Sequence, residues 1–249
     1  MGKLKPGLVS VTFRKLSVAD IIALCAEAGL GAIEWGGDVH VPDVDTARKT
    51  ADLMRVNGME TVSYGSYYRA GTGEDFTPAL NAAVALNAPN IRIWAGDKNP
   101  DEADATYRAA VVADIRNACD MADKFNVSVS VEYHGNTLTN TQESAVLLLG
   151  QVSRTNFYSY WQPLGNTTRE ENIKNIGQLR ALNKLSNIHA YYTAGGERKP
   201  FADGRALWAD YFKAAEPHCG YALLEFVMDD DPRQFIRDAS ALINVLDQI

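Results

Sequence analysis

Eight short apolar runs alternate with eight helix-like segments along this 249-residue chain. The runs are LVSVTF (8–13), GAIEW (31–35), METVSYGS (59–66), NIRIW (90–94), VSVSVE (127–132), FYSYWQ (157–162), NIHAYY (187–192) and YALLEFV (221–227). Strands that alternate with helices re-enter the sheet from the same end, so the sheet is parallel. Eight units of about thirty residues match a closed (β/α)8 TIM barrel, taken as a single domain over residues 1–249. An open doubly wound sheet is the competing arrangement. It usually has fewer units and often a glycine-rich first turn, and no G-x-G-x-x-G follows LVSVTF.

Capping signals divide the helical segments. Ser17 is placed to cap the first, with Gly29 as its stop, and Gly58 ends the segment TARKTADLMRVNG. Thr77 is expected to cap the third, with Pro78 at its first position. The fourth runs from about Asp104 to Asp123, with Tyr107, Val111, Ile115 and Ala118 at helical spacing. Asn140 with Glu143, and Thr168 in TREE, have the form of capping boxes. Asp203 and Asp231–Pro232 are expected to open the last two helices.

Composition narrows the function classes. The net charge is −7, the pI is near 5.1 and no basic block occurs. That balance argues against nucleic acid, whose binding requires phosphate neutralisation. A small uncharged polyol or anion suits it better. No apolar run approaches the ~20 residues of a membrane helix. MGKLKPGLVSV lacks a signal-peptide pattern, so the expected location is cytoplasmic. The cysteines are Cys25, Cys119 and Cys219, with no Cys-x-x-Cys. Cys25 and Cys119 fall in apolar helical patterns and are expected to be buried thiols rather than disulfide or zinc partners.

Active sites of (β/α)8 barrels open at the C-terminal ends of the strands. Glu132, Gln162, His189 and Glu225 each stand at such an end, on four successive runs. Two carboxylates, an imidazole and an amide oxygen around one point suit a divalent metal. The same face carries Glu34, Asp38, His40, Tyr64, Tyr67, Arg69, Trp94, Asp97, Lys98, His134 and the segment Glu197–Arg198–Lys199. His218 precedes the last run and is expected on the surface at the opposite end. Each residue also has a plainer reading. An ion pair with Arg92 would satisfy one buried glutamate, and Glu34 suits a salt bridge. Gln162 could serve only as a hydrogen-bonding group. Trp35, Trp94 and Trp161 either stack on a sugar or plug the barrel mouth.

At these residues the chain resembles the xylose-isomerase-like TIM barrels, over essentially its whole length. The resemblance rests on VEYH with Glu132, the polar end of FYSYWQ, IHAYY with His189 and LEF with Glu225, and on IEWGGDVHVP and RIWAG. It implies a sugar or sugar-phosphate isomerase or epimerase that removes a proton α to a carbonyl and passes through an enediolate. By that likeness Glu132, Gln162, His189 and Glu225 hold Mn2+, Mg2+, Co2+ or Zn2+, and Glu132 and Glu225 move the proton. Gln162 stands where the family usually has Asp, one negative charge fewer. The expected sugar or polyol contacts are Trp35, His40, Tyr64, Arg69, Trp94, His134, Trp161 and Arg198. Homodimers are common in such barrels. Two alternatives use the same scaffold. One is a dehydratase of an inositol-derived or related keto-polyol, with His40, His134 or Lys98 as the acid over the leaving hydroxyl. The other is a sugar-binding relative without metal. Cleavage of abasic DNA needs more histidine ligands than the four in this chain.

Overall fold

The computed structural model describes residues 3–165, 167–218 and 220–249; Cys219 lies outside the described residues. Eight parallel strands close a barrel: β1 (Lys5–Val9), β2 (Ala32–Gly36), β3 (Glu60–Arg69), β4 (Asn90–Trp94), β5 (Ser128–Val131), β6 (Phe157–Trp161), β7 (Leu185–Ala190) and β10 (Tyr221–Leu224). β1 pairs with both β2 and β10, which closes the ring. Eight helices surround it: α1 (Val18–Glu27), α2 (Val44–Val56), α3 (Thr77–Ala85), α4 (Ala105–Asp123), α5 (Gln142–Val152), α6 (Arg169–Ala181), α7 (Arg205–Ala215) and α8 (Pro232–Asp247). The fold is the (β/α)8 barrel expected from the alternation. An antiparallel hairpin, β8 (Thr193–Ala194) with β9 (Glu197–Arg198), rises from the loop after β7.

The strands match the apolar runs because both faces of a parallel sheet are covered, inward by the barrel interior and outward by the helices. NIRIW coincides with β4. LVSVTF does not coincide with β1: the strand begins at Lys5, and Ser10–Phe13 is a 3-10 turn. Ser10, Thr12 and Phe13 of that turn are buried, so their apolar pattern reports packing rather than strand.

Most caps fall where the sequence places them. Ser17 and Thr168 each form a full capping box, with Asp20 and Glu171 respectively, worth about 1 kcal/mol of helix stability each. Asp104 caps α4, and Asp231 caps α8 with Pro232 in its first turn. Three positions differ. Thr77 is helical, and its N–H is taken by Asp75 Oδ1 at 2.9 Å. Thr141, not Asn140, caps α5, because the Asn140 amide is held by Asn99 across the neighbouring loop. A 3-10 turn, Phe201–Gly204, takes the Asp203 segment before α7 begins at Arg205. Replacing Thr168 with alanine is expected to cost about 1 kcal/mol by urea denaturation.

The main core lies between barrel and helices. Trp35, Trp161, Trp208 and Phe212 are among its largest fully buried side chains, and Cys25 and Cys119 are buried free thiols within it. No helix among the described residues is long and apolar enough to cross a membrane.

Candidate metal centre and substrate cavity

Four polar side chains enter from the ends of successive strands. Glu132 follows β5, Gln162 follows β6, His189 lies in β7 and Glu225 follows β10. Irregular pairing re-aims two positions near the site. Register shifts between Ile33 and Glu34, and between Ser159 and Trp161, precede Glu34 and Gln162. His189 Nδ1 is 3.5 Å from Glu132 Oε1, 3.5 Å from Glu225 Oε2 and 3.1 Å from Gln162 Oε1. Ligand atoms of Glu132, His189 and Glu225 all lie within 4.8 Å of one another. Gln162 Nε2 donates to Tyr133 O at 2.6 Å, which turns the amide oxygen toward the same point.

Arg92, from the middle of β4, is the counter-charge. Its Nε donates to Glu34 Oε1 at 2.7 Å and its Nη1 pairs with Glu132 Oε2. Trp94 Nε1 also donates to Glu132 Oε2, at 2.9 Å. The Arg92 guanidinium fits because Gly65 faces it. A Cβ on Gly65 would sit 2.8 Å from Arg92 Nη2 and 3.0 Å from Glu34 Oε1. Gly65→Ala is therefore expected to displace the Arg92–Glu34 pair and destabilise the fold by about 1–3 kcal/mol, read from the denaturation midpoint.

The buried charges shape each ionisation. Burial alone would raise the Glu34 carboxyl, but Arg92 and His189 outweigh it and bring it down to about 2. Glu132 is likewise favoured upward by burial and driven well below the ordinary carboxylate range by Arg92 and His189. Glu225 moves the other way. Burial and the neighbouring Glu132 raise it, against the opposing pull of His189. Burial opposes charge on His189, yet Glu225, Glu132 and Glu34 together raise it to about 10.

These residues fit a divalent cation. With the His189 imidazole neutral and the three carboxylates ionised, one guanidinium leaves an excess of two negative charges, which a divalent cation would match. Glu225 Oε2 is buried without a hydrogen-bond partner. Such a group is costly unless an ion or proton meets it. The donor set of carboxylates, imidazole and amide oxygen suits a borderline or hard divalent ion.

Above the cluster opens a cavity of about 910 Å3. Arg92, Glu132, Gln162 and Glu225 form part of its wall, together with Tyr67, Trp94, His134 and Arg198. The His134 ring lies against Trp94, with centroids 4.7 Å apart. Its Nδ1 donates to Gly135 O at 2.6 Å, which leaves Nε2 to exchange a proton with a ligand. Arg198 pairs with Asp230 at 2.7 Å.

Several expected contacts lie elsewhere. Trp35 and Trp161 are fully buried and belong to the core; Trp161 packs on Trp208 and Tyr211. His40 is buried with Nδ1 at 3.0 Å from Ser10 Oγ and Nε2 at 3.3 Å from Phe13 O, so neither nitrogen faces the cavity. The Tyr64 hydroxyl donates to Val41 O at 3.2 Å. Arg69 stacks on Trp94, 4.0 Å from its ring centre, and donates to Gly96 O. Its place is beside Trp94, outside the cavity wall. Lys98 sits over the Tyr107 ring at 4.7 Å. His218 is half-buried rather than exposed, with Nε2 at 2.6 Å from Ser186 O near the start of β7.

Among the wall residues that were not anticipated are the basic Arg14 and Lys15, in the loop beyond the 3-10 turn after β1. Arg14 pairs with Asp38 and meets Tyr67. Extending the first strand to Phe13 hides them, because the true strand end is Val9. The central place of Arg92 has a sequence signal: it is the lone charge within NIRIW, facing opposite to its two isoleucines.

A family model described as xylose isomerase-like TIM barrel matches residues 22–244. The chain belongs to this family. Among curated proteins, 3-dehydroshikimate dehydratase of Bacillus anthracis is 25% identical over 221 residues, covering 77% of this chain and 79% of that protein. The crystal structure of a probable 3-DHS dehydratase from the same organism, involved in petrobactin synthesis, superimposes with a TM-score of 0.82. It is 22% identical and the match covers 97% of this chain and 99% of the other. D-allulose 3-epimerase from Methylomonas sp. gives a TM-score of 0.74 at 18% identity, covering 99% of each chain. Both chemistries therefore occur among the relatives. The dehydratase is ahead of the epimerase in identity and in structural agreement.

Proposed function

We propose that the protein is a metal-dependent dehydratase of a cyclic keto-polyol of the 3-dehydroshikimate type. The observation that carries this reading is His134. Dehydration needs an acid over the departing hydroxyl. Of the three candidates, only His134 lines the cavity that Glu132 and Glu225 share. The 25% identical relative named as a dehydratase supports the same chemistry.

Glu132, Gln162, His189 and Glu225 would hold the cation. A divalent ion there acts as a Lewis acid on a carbonyl oxygen and acidifies the neighbouring C–H. Two glutamates are available as the base, and their surroundings separate them. Arg92 and Trp94 hold Glu132 in its ionised form. Glu225 has no hydrogen-bond donor on Oε2, so that oxygen is the freer to take a proton. Glu225 takes the α-proton, and the C–H electrons form the new C=C bond. The β C–O bond breaks, and His134, entering the step as the imidazolium with Nδ1–H held by Gly135 O, passes its Nε2 proton to the hydroxyl, which leaves as water. The product is the unsaturated ketone. Lys15, at the cavity wall, supplies positive charge for a substrate carboxylate.

The test is to incubate the Mn2+-loaded protein with 3-dehydroshikimate and a panel of ketoses in D2O. Water loss from the cyclic ketone, seen as a rise in ultraviolet absorbance, supports the reading. Deuterium uptake and epimerisation of a ketose without water loss would establish the epimerase instead. His134→Gln separates the two steps: it is expected to lower water release by about 10²–10⁴-fold while deuterium exchange at the α-carbon persists. Equal loss of both would remove His134 from the acid role.

Metal affinity is expected to rise with pH. Without a cation, His189 carries a proton up to about 10 and Glu225 is also raised, so protons occupy the ligand atoms at neutral pH. Each must leave when a cation binds. Raising the pH from 6 to 8 should therefore strengthen Mn2+ binding by at least about one log unit per pH unit, with proton release measurable by calorimetry in buffers of different ionisation enthalpy. A flat profile would show that the cation does not displace these protons.

A further inference from the structure

The cavity wall sorts its positive charges. Four side chains of Lys and Arg type line it: Arg14, Lys15, Arg92 and Arg198. Three are already neutralised. Arg14 pairs with Asp38, Arg92 with Glu34 and Glu132, and Arg198 with Asp230 at 2.7 Å. Lys15 makes no ion pair among the described residues. It is exposed, on the loop between the 3-10 turn and α1. An ammonium at a cavity wall with no acid of its own is open to an anion that enters from solvent.

The order of strands decides which edge of a ligand meets it. Half of the ring runs β1–β10–β7–β6–β5, so the loop after β1 stands across the mouth from the loop after β5. Lys15 belongs to the first loop and His134 to the second, and both line the same cavity. Glu225, His189 and Gln162 come from the three strands between them. A ring with its carbonyl at these ligands and its departing hydroxyl at His134 turns its remaining edge toward Lys15. Asp229, on the loop after β10, is a wall carboxylate without an ion pair among the described residues. Its charge opposes a bound anion, so it weakens the affinity that Lys15 supplies.

Resting on the dehydratase reading above, we infer that Lys15 is a specificity-determining residue: it selects cyclic ketones that carry a carboxylate remote from the departing hydroxyl, over neutral ketoses. The three paired arginines shape the wall, and Lys15 alone among these four cations meets the ligand's charge without first giving up an ion pair. The contact is charge-assisted and exposed, so it acts on binding rather than on the chemical step and is screened by salt.

Shikimate has a ring and a carboxylate but no ketone, so it reports this contact without turnover, and methyl shikimate is the neutral control. Calorimetric binding of shikimate to the Mn2+-loaded protein is expected to weaken about 10–100-fold in Lys15→Met, while methyl shikimate binds the variant and the wild type alike. Lys15→Arg keeps the charge and should keep most of the affinity. Asp229→Asn should tighten shikimate binding, and added salt should weaken it in the wild type. With 3-dehydroshikimate, Lys15→Met should raise KM by the same factor and leave kcat nearly unchanged. Wild-type shikimate affinity and KM in Lys15→Met, or an equal loss for the methyl ester, overturns the role of Lys15 and leaves the dehydratase reading standing. Shikimate held through Lys15 by a protein that releases no water from 3-dehydroshikimate keeps the contact and overturns the dehydratase reading. A wild type that binds neither compound overturns both.

Discussion

Glu225→Gln abolishes turnover: water release falls by about 10²–10⁴-fold from loss of the base alone, and further because a charged ligand is lost. The physical reason is the contrast between two glutamates of one cluster. Glu132 is tied by Arg92 and by Trp94 Nε1, which keeps it ionised and poorly basic. Glu225 has an unpartnered oxygen. Single-turnover measurements of substrate deuterium exchange isolate the proton-transfer step. Exchange should vanish in Glu225→Gln at saturating Mn2+. Exchange at the wild-type rate with the cation bound would move the base to another residue. Glu132→Gln should act differently. It removes the partner of a buried guanidinium, so loss of stability accompanies loss of metal.

Replacing Arg92 with methionine gives the largest expected effect on stability. Arg92 and Glu34 have side-chain exposures of 5% and 0%, and Glu132 has 6%. Removing one partner from a buried ion pair strands the other charge and costs about 3–5 kcal/mol. Here two carboxylates are stranded, so the loss should reach the upper part of that range. The pH dependence has a definite sign. In the wild type, guanidinium and imidazole hold Glu34 down to about 2 and Glu132 low as well, so their contribution is present at neutral pH and is lost only in strong acid. In the variant, burial raises both carboxyls, protons neutralise them, and the deficit shrinks as the pH falls from 8 toward 5. Added divalent cation should shrink it too. Urea denaturation across that pH range measures both effects. A variant within 1 kcal/mol of wild type at pH 8 would mean the site relaxes or admits water when the guanidinium is lost.

The barrel is legible because its cause is local. Period-two and continuous apolar runs mark strands, amphipathic segments mark helices, and Ser17, Asp104, Thr168 and Asp231 mark helix starts through bonds made within three residues. Asn140 misleads for the opposite reason: its amide is claimed by Asn99, a partner that only the fold brings near. The ring of Glu132, Gln162, His189 and Glu225 follows from topology alone, since parallel strands in a barrel deliver their ends to one face. The cavity wall is less readable. Trp35, His40, Tyr64 and Trp161 stand at strand ends in sequence, but alternation along the strand and the turn beyond it send them outward under the helices. Trp94 and His134 reach the cavity from the same kind of position. Side-chain direction at a strand end depends on local bulges and loop geometry, such as the shift between Ile33 and Glu34, and these leave no mark in residue type.

Anomalous diffraction from crystals grown with Mn2+ tests the central claim most directly. The account predicts one strong peak about 2.0–2.6 Å from carboxylate oxygens of Glu132 and Glu225, from His189 Nδ1 and from Gln162 Oε1. A peak bound elsewhere, or none at this cluster in protein that still dehydrates its substrate, would contradict it.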